Sequence, residues 1–309
     1  MGKIEVLISG GKLLDDENLK EVFLFKSCTT QFTKILMRRL GETSNAEKVL
    51  GTSYYKMKMH DRNFREIYES LNPAQRGAVD YLVGNNLNGA IQGPPGTGKT
   101  QLLRAVITLA LNSNMKVYLT SFTNAAVDNL LSRVVSDDFP HSWARVGGSD
   151  KIRTDLYDQN LQQDIARAGS FHEAQDVQLI GATLHKIAYS SSLPGIDLLV
   201  IDEAGQVPIY FWPFIERLAR RVVLVGDQFQ LPPVLGAVHE NLPATNIFSH
   251  VIHKDTPMLE MQYRMRREIQ AWSSEKFYKG KLTPHSSVAE QDYFAYSPAF
   301  VTDGFVVPK

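Results

Sequence analysis

The eight residues 93–100, GPPGTGKT, constrain what this chain can fold into more than any other feature. They match the pattern G-x-x-x-x-G-K-[ST] at its four fixed positions, and that pattern requires a strand before it and a helix after it. Residues 89–92 have the composition of a short buried strand. An apolar helical stripe follows the motif, at Leu102, Leu103, Val106, Ile107 and Ala110. A chance match in a Gly/Pro-rich turn would lack both neighbours, so we predict an α/β domain.

From residue 71 onward, short aliphatic runs alternate with helical patterns of ten or more residues. The further elements that these patterns predict are strands at 116–121, 177–183, 197–201 and 221–225 and helices at 127–135 and 208–218. Such alternation is typical of a central parallel sheet covered by helices.

The glycine-rich segment is chemically suited to hold the phosphates of a nucleotide. Its glycines let successive backbone N–H groups turn inward around phosphate oxygens, and the N-terminus of the next helix adds partial positive charge. The Lys99 ammonium can reach the β- and γ-phosphates, and the Thr100 hydroxyl can ligate Mg²⁺. The predicted cofactors are therefore ATP and Mg²⁺. The candidate contacts in this segment are Gly93, Pro95, Gly96, Thr97, Gly98, Lys99, Thr100 and Gln101.

Two more polar segments follow aliphatic runs. Asp202 and Glu203 come directly after LLVI, where Asp202 would hold Mg²⁺ largely through water and Glu203 would orient and deprotonate the attacking water. Gln230, in GDQFQLPP, is an uncharged donor and acceptor that could sense a γ-phosphate. Each segment alone could be a solvated turn. Beside a phosphate-binding loop in one α/β unit, they predict nucleotide hydrolysis.

Six ordered segments resemble motifs of the superfamily 1 helicases. They are LNPAQRGAVDYL at 71–82, GPPGTGKT at 93–100, LTSFTNAAVDNLL at 119–131, DEAGQ at 202–206, VGDQFQLPPV at 225–234 and LEMQYRMRREIQAWSSEKFYKGKL at 259–282. The last segment narrows the resemblance to the 5′-to-3′ branch, which includes the helicases of nonsense-mediated RNA decay and of Okazaki-fragment processing. The resemblance implies a RecA-like P-loop NTPase domain, the first motor domain of such a helicase, over residues 71–255.

The resemblance also implies roles for three residues outside the P-loop. Gln75 would read the adenine edge, Tyr263 would stack on the base, and Arg264 would contact the γ-phosphate. The alternative for Gln75 is a residue in the first turn of a helix after Asn72-Pro73. The alternative for the QYRM segment is plain core, since one helical face carries Met261, Met265, Ile269 and Trp272.

We expect nucleic acid at the carboxyl edge of the sheet, where the loops of open α/β folds collect ligands. The candidate residues follow two predicted strands: Thr120, Ser121, Thr123, Asn124, Thr183 and His185. Hydroxyls, amides and helix N-termini hold phosphates without much positive charge, which fits 33 Lys and Arg against 33 Asp and Glu. The alternatives are a helix cap for Asn124 and a capping or packed role for His185. The expected partner is single-stranded DNA or RNA, which the sequence does not distinguish.

The segments on either side of the motor domain are expected to be partial. Residues 1–70 would form an incomplete N-terminal region, and residues 256–309 a truncated start of a second RecA-like domain, opening with a strand at 299–301. The resemblance implies that a downstream domain or a second chain supplies motifs V and VI, including an arginine that completes the ATP site. Such an arginine is worth roughly 10³ to 10⁵ in rate. We therefore expect the chain alone to bind nucleotide far better than it hydrolyses it.

Composition narrows the remaining classes of protein. The single cysteine, Cys28, excludes an intramolecular disulfide and a Cys-rich metal framework. No apolar run approaches the roughly 20 residues of a membrane span, so we expect a cytoplasmic or nuclear protein with no membrane partner. Two functions stay open: an ATP-dependent helicase motor, and a nucleotide-gated nucleic-acid clamp or regulatory subunit with little turnover. A small-molecule kinase is disfavoured because no phosphoacceptor site is recognisable.

Overall fold

The structure is a computed structural model that describes residues 57–135, 139–148, 151–156, 167–190, 192–233 and 245–290. Cys28 and the strand predicted at 299–301 lie outside these residues, as does most of the predicted N-terminal region.

A seven-stranded sheet forms the centre of the described chain. Its strands are β1 (Gly89–Gln92), β2 (Val117–Ser121), β3 (Trp143–Val146), β4 (Arg167–Ala168), β5 (Leu179–Thr183), β6 (Leu198–Ile201) and β7 (Val222–Gly226). Their order across the sheet is β1-β7-β6-β2-β5-β3-β4, and every adjacent pair is parallel. The predicted α/β fold with a central parallel sheet is confirmed. Strands β3 and β4 were not predicted, because the charged Arg145 interrupts the four residues of β3 and the two residues of β4 are too few to show a pattern.

Helices and one small accessory sheet surround the central sheet. The helices are α1 (Arg62–Ser70), α2 (Pro73–Gly84), α3 (Lys99–Asn112), α4 (Asn124–Val134), α5 (Leu184–Tyr189), α6 (Trp212–Leu218), α7 (Ile247–Val251), α8 (Arg267–Tyr278) and α9 (Ser286–Ala289). The accessory sheet pairs β8 (Met261–Gln262) with β9 (Thr283–Pro284). The helix predicted at 208–218 is a 3-10 turn, Ile209–Phe211, followed by α6. None of the described helices has the length and apolar content to cross a membrane.

The strands are apolar throughout because the sheet is covered on both faces. Side chains of β2 alternate between two core layers, with Leu119 in the layer of α1 to α4 and Tyr118 in the layer of α5 to α7. Strand β6 alternates in the same way, with Val200 in the first layer and Leu199 in the second. Each layer buries one face of the sheet. This packing on both faces fixes the positions of the strands and therefore of their carboxyl ends.

The packed unit extends beyond residues 71–255 on both sides. At its start, Phe64 of α1 is 1% exposed and belongs to the same core layer as α3. At its end, the backbone N–H of Gln92 donates to the carbonyl of Pro257 (2.8 Å), and the backbone N–H of Leu259 donates to the carbonyl of Gln92 (2.9 Å). The chain at 257–259 therefore runs beside β1, which carries the residues after it toward the P-loop.

Candidate functional site

The predicted site residues gather at one edge of the sheet, in two groups. The neighbouring strands β1, β7 and β6 end in the P-loop, in Asp227-Gln228 and in Asp202-Glu203, respectively. The next two strands across, β2 and β5, end at Ser121 and Thr183. Because all strands are parallel, their carboxyl ends lie side by side. We call the first group the nucleotide edge and the second group the nucleic-acid edge, after the ligands that the sequence predicts for them.

The P-loop connects β1 to the N-terminus of α3. The Lys99 ammonium donates to the carbonyl of Gly93 (3.0 Å), and the buried Thr97 hydroxyl donates to that of Pro94 (2.7 Å). Thr100 lies in the first turn of α3 and Gln101 is exposed beside it. These contacts fold the loop back on itself, and a turn of this kind directs successive backbone N–H groups toward a phosphate.

Lys99 also faces the acidic pair after β6. Its ammonium lies 3.4 Å from Glu203 Oε1, and both side chains are partly exposed. Glu203 has a backbone φ of 53°, in the left-handed region that is unfavourable for a residue with a side chain. Strained backbone of this kind clusters at functional sites, where the surrounding structure maintains it.

Asp202 is the buried member of the acidic pair. Its Oδ1 has no hydrogen-bond partner within the described part of the chain. Burial, and then the neighbouring Glu203 charge, raise the pKa of Asp202 to about 6, against the opposing effect of Lys99. An unpartnered carboxylate oxygen fits a hard, oxygen-binding cation such as Mg²⁺. The described residues contain no group of three or more His, Cys, Asp or Glu side chains that could hold a metal. A magnesium ion here would therefore take most of its ligands from phosphates and water.

Gln75 braces the P-loop from the side of α2. Its amide nitrogen donates to the carbonyls of Thr97 (3.1 Å) and Gly98 (3.3 Å), and its amide oxygen accepts from the Asn72 N–H (3.0 Å). Asn72 caps α2 in return, which completes a capping box. The side-chain amide of Gln75 therefore makes its hydrogen bonds within the protein. This agrees with the alternative that Gln75 is a residue in the first turn of a helix. Its adenine contact stays a prediction.

Tyr263 and Arg264 cover the other side of the loop. The Tyr263 N–H donates to the carbonyl of Gly96 (2.8 Å), and its hydroxyl accepts from Asn72 Nδ2 (2.9 Å). A Cβ on Gly96 would lie 2.6 Å from the Cβ of Arg264, and Gly96 has a φ of 76°. Glycine is therefore required at this position for both backbone conformation and close approach. Tyr263 and Arg264 therefore lie against the P-loop, although Tyr263 follows Gly96 by 167 residues in the chain.

The loops after β6 and β7 touch through their backbones. A Cβ on Gly205 would lie 2.8 Å from the carbonyl oxygen of Asp227, so any larger residue would separate the two loops. Gln230 donates from its amide to Asp227 Oδ2 at 3.4 Å, a long contact. The structure thus brings Gln230 to the nucleotide edge. It also places Asp227 at this edge. The sequence reasoning assigned Asp227 no role, although the residue directly follows an aliphatic strand.

The nucleic-acid edge has a different character. Thr120 and Ser121 are buried in β2, at 0% and 1% exposure, so their side chains are part of the sheet rather than of its surface. Thr123 and Thr183 each cap the following helix, accepting from the N–H groups of Ala126 and Lys186 (3.2 Å each). The cap of α4 is therefore Thr123, not Asn124, whose proposed capping role was wrong by one residue.

A buried ion pair holds Asn124. Arg145 Nε lies 2.6 Å from Asp128 Oδ1, with both side chains fully buried, and Arg145 Nη2 donates to Asn124 Oδ1 (2.9 Å). The second carboxylate oxygen of Asp128 accepts from the Arg153 N–H (3.0 Å). Sequence reasoning missed this network, because Arg145 lies in the unpredicted strand β3. A lone arginine in a four-residue apolar run is the only sequence signal for it.

His185 is packed among aromatic rings. Its ring centroid lies 4.7 Å from that of Phe122 and 5.2 Å from that of Phe211. Burial lowers the pKa of His185, which keeps the ring neutral at pH 7. The alternative that His185 is a packed residue therefore fits its environment. Any contact that His185 makes with nucleic acid would come from an uncharged ring.

The apolar face predicted for the QYRM segment is not core. Ile269 is 58% exposed and Trp272 is 67% exposed, on α8. Helix α8 instead buries Gln270, Ser274 and Tyr278. The expectation of core packing was wrong, because Met261 and Met265 precede the helix and so do not share its period with the residues after them.

Comparison with known proteins identifies the family. The chain matches the AAA domain family over residues 70–293. It belongs to that family. The chain is 30% identical over 250 residues to the DNA replication ATP-dependent helicase/nuclease dna2 of Schizosaccharomyces pombe, and the match covers 77% of this chain and 18% of the relative. It is 32% identical over 232 residues to DNA replication ATP-dependent helicase/nuclease DNA2 of Homo sapiens, covering 70% and 21%.

The resemblance to superfamily 1 helicases that the motifs indicate is thereby confirmed for this AAA domain. The chain spans about a fifth of the length of the curated relatives it matches. Among solved structures, the arterivirus nonstructural protein 10 helicase with DNA matches 69% of this chain and 43% of its own, at 15% identity and a TM-score of 0.44.

Proposed function

We propose that this AAA domain is the first motor domain of a helicase, which couples ATP hydrolysis to movement along a single strand and to duplex unwinding. The observation that carries the proposal is the convergence of Lys99, Glu203 and Arg264 on one P-loop at the carboxyl ends of neighbouring strands. A lysine, an acid and an arginine around one phosphate-binding loop are the groups that phosphoryl transfer to water requires.

Each group has a distinct task in the proposed reaction. Lys99 would leave Glu203 to bind the β- and γ-phosphates, which frees the Glu203 carboxylate to orient and deprotonate the attacking water. Gln230 and Arg264 would contact the γ-phosphate, while Tyr263 would stack on the adenine and Gln75 would read its edge. Asp202 and Thr100 would hold Mg²⁺, and the metal ion supplies positive charge that offsets the charge developing on the phosphates.

Single-stranded nucleic acid would cross the neighbouring nucleic-acid edge. Thr123, Asn124 and His185 are its partly or fully exposed predicted contacts, and they carry no charge at pH 7. Phosphates would be held there by amide, hydroxyl and helix N-terminal N–H groups. The two relatives named above are described as DNA replication proteins, so we propose DNA as the first substrate to test, in the nucleus or cytoplasm. Motifs V and VI would come from a downstream domain or a second chain.

Steady-state ATP hydrolysis, with and without single-stranded DNA or RNA, tests the proposal. It should be measured on this chain and on the chain extended by its natural downstream sequence. We expect stimulation by single strands in the extended form. We also expect Lys99→Ala to lower turnover by about 10²- to 10³-fold, the cost of removing one preorganised charged donor from a phosphate.

Three results would change the proposed function. In the first, the chain binds ATP, Lys99→Ala abolishes that binding, and neither this chain nor the extended chain hydrolyses ATP. The function would then be that of a nucleotide-gated clamp rather than a motor. Turnover that single strands do not stimulate would remove the nucleic-acid partner. Phosphorylation of a small metabolite would identify a kinase instead.

A further inference from the structure

The carboxylate of Asp227 collects contacts from three separate parts of the fold. Its Oδ1 accepts from Gln92 Nε2 (3.2 Å), at the end of β1, and from the Phe229 N–H (3.3 Å). Its Oδ2 accepts from the hydroxyl of Tyr278 (2.6 Å), at the end of α8, and from Gln230 Nε2 (3.4 Å). We call these five residues the Asp227 cluster. It joins the strand before the P-loop, the loop of Gln230 and the helix after Arg264.

The shortest contact in the cluster is also a protected one. Tyr278 is 6% exposed and Asp227 is 2% exposed, so water does not compete strongly for their hydrogen bond. Burial, with the Asp227 hydrogen bond second, raises the pKa of Tyr278, which keeps its hydroxyl protonated and donating. A hydrogen bond to a charged group is roughly twice as strong as one between neutral groups. The Tyr278 hydroxyl therefore holds Oδ2 in a defined direction.

The orientation of Asp227 bears directly on Gln230. The side-chain amide of Gln230 shares Oδ2 with Tyr278, and the Gln230 N–H donates to the Asp227 carbonyl (3.3 Å). Gln230 therefore meets Asp227 through both its backbone and its side chain. Because the side-chain contact is long, the amide is directed by Asp227 but can still turn toward a ligand.

We propose that Tyr278 and Asp227 are positioning residues that aim the Gln230 amide at the γ-phosphate and tie that aim to the position of α8. The proposal rests on the proposed function, since it assumes the γ-phosphate contact of Gln230. In it, Gln92 anchors the carboxylate to the strand before the P-loop, and Tyr278 anchors it to the helix that follows Arg264. A shift of α8 would then turn the Gln230 amide. The γ-phosphate contact of Gln230 would in this way be coupled to the position of the second half of the motor.

The chain offers a matched control for removing the Tyr278 hydroxyl. Tyr118 is fully buried, its ring stacks on Phe171 at 5.7 Å, and its hydroxyl has no hydrogen-bond partner in the described part of the chain. Tyr118→Phe and Tyr278→Phe thus delete the same atom from two buried rings. Only Tyr278→Phe removes a contact with the Asp227 cluster.

The experiment is a double-mutant cycle on Tyr278→Phe and Gln230→Ala, with Tyr118→Phe as control. In the form that hydrolyses ATP, we expect Tyr278→Phe to lower kcat about 3- to 10-fold with KM for ATP within about twofold, the loss of one hydrogen bond. The double variant should match Gln230→Ala alone. Tyr118→Phe should leave kcat unchanged. Multiplying effects in the double variant, or an equal loss in Tyr118→Phe, would overturn the positioning role.

A second measurement separates this proposal from the proposed function. The affinity of the 309-residue chain for a non-hydrolysable ATP analogue, divided by its affinity for ADP, reports γ-phosphate recognition without turnover. We expect Tyr278→Phe and Gln230→Ala to reduce this ratio by the same factor. If turnover is absent but both variants reduce the ratio, the motor function fails and the positioning role stands. A ratio that Tyr278→Phe leaves intact, or a parent chain that binds both nucleotides equally, overturns the positioning role.

Discussion

The nucleotide edge and the nucleic-acid edge belong to one sheet but differ in the surroundings of the buried acids Asp202 and Asp128. At the nucleotide edge, Asp202 Oδ1 is buried without a partner and Glu203 has a left-handed backbone. At the nucleic-acid edge, the charges of Arg145 and Asp128 are paired in the core, and Thr123 and Thr183 cap helices. Unmet polar groups are costly in a folded protein unless a ligand completes them. The difference indicates that Asp202 at the nucleotide edge has an oxygen available to a ligand, whereas the Arg145–Asp128 pair stabilises the fold beside the nucleic-acid edge.

The largest effect should come from breaking the paired charges of the nucleic-acid edge. Arg145→Met leaves Asp128 buried without its partner, and we expect it to lower the free energy of unfolding by about 3–5 kcal/mol. The double variant Arg145→Met with Asp128→Leu should recover most of that loss, since it removes both charges. Urea denaturation of the three proteins measures this. If the single and double variants are equally unstable, packing rather than charge pairing stabilises this edge.

A smaller effect should appear at the nucleotide edge as pH dependence. The pKa of Asp202 in the folded chain is about 6, above its ordinary value of 3.8, so the folded state binds the proton more tightly than the unfolded state does. Stability from this group is therefore fully present below about pH 4 and is lost as the pH rises through about 6, by on the order of 2–3 kcal/mol.

Asp202→Asn provides the comparison for that prediction. The difference in unfolding free energy between the variant and the parent chain, measured without nucleotide or Mg²⁺ from pH 4 to 8, should grow in favour of the variant as the pH rises. A difference that stays constant over this range would mean that Asp202 carries no buried charge cost. The contrast between the two edges would then lose its physical basis.

The smallest effect should come from the cap of α4. Thr123→Ala removes the side-chain oxygen that accepts from the Ala126 N–H, and we expect a loss of about 1 kcal/mol in unfolding free energy. Thr123→Ser keeps that oxygen and should cost far less. Thermal unfolding of both variants checks the capping role. Comparing their affinities for single-stranded DNA shows whether Thr123 also touches phosphate, in which case Thr123→Ala weakens binding and Thr123→Ser preserves it.

Local patterns predicted the parts of this molecule that depend on neighbouring residues in the chain. The P-loop was predicted from eight consecutive residues, β1 from its place directly before that loop, and β2, β5, β6 and β7 from short runs rich in aliphatic or β-branched residues. The nucleotide edge followed, because polar residues directly after buried parallel strands must lie at one edge of the sheet. Strands β3 and β4 were not predicted, since Arg145 interrupts the apolar residues of β3 and β4 has only two residues.

Long-range contacts between polar side chains could not be predicted in this way. Tyr278 and Asp227 are 51 residues apart, and nothing in either segment indicates that their oxygens meet at 2.6 Å. The buried face of α8 was also misassigned, since Trp272 is exposed while Gln270 is buried and donates to the carbonyl of Leu282, just before β9. Hydrophobic periodicity ranks residues by type, whereas a buried polar residue is determined by the partner that satisfies it.

The sequence by itself therefore determined the α/β class, the P-loop and the family resemblance, because each depends on a short contiguous pattern with a local physical cause. Only the tertiary structure decided that Gln75 and Tyr263 brace the P-loop, that Arg145 holds Asn124, and that Asp227 joins three elements. Those contacts depend on the order of the strands across the sheet and on the path of the chain beside β1 after residue 257. Hydrogen bonds and ion pairs act over a few ångströms, and only the folded chain brings such distant residues that close.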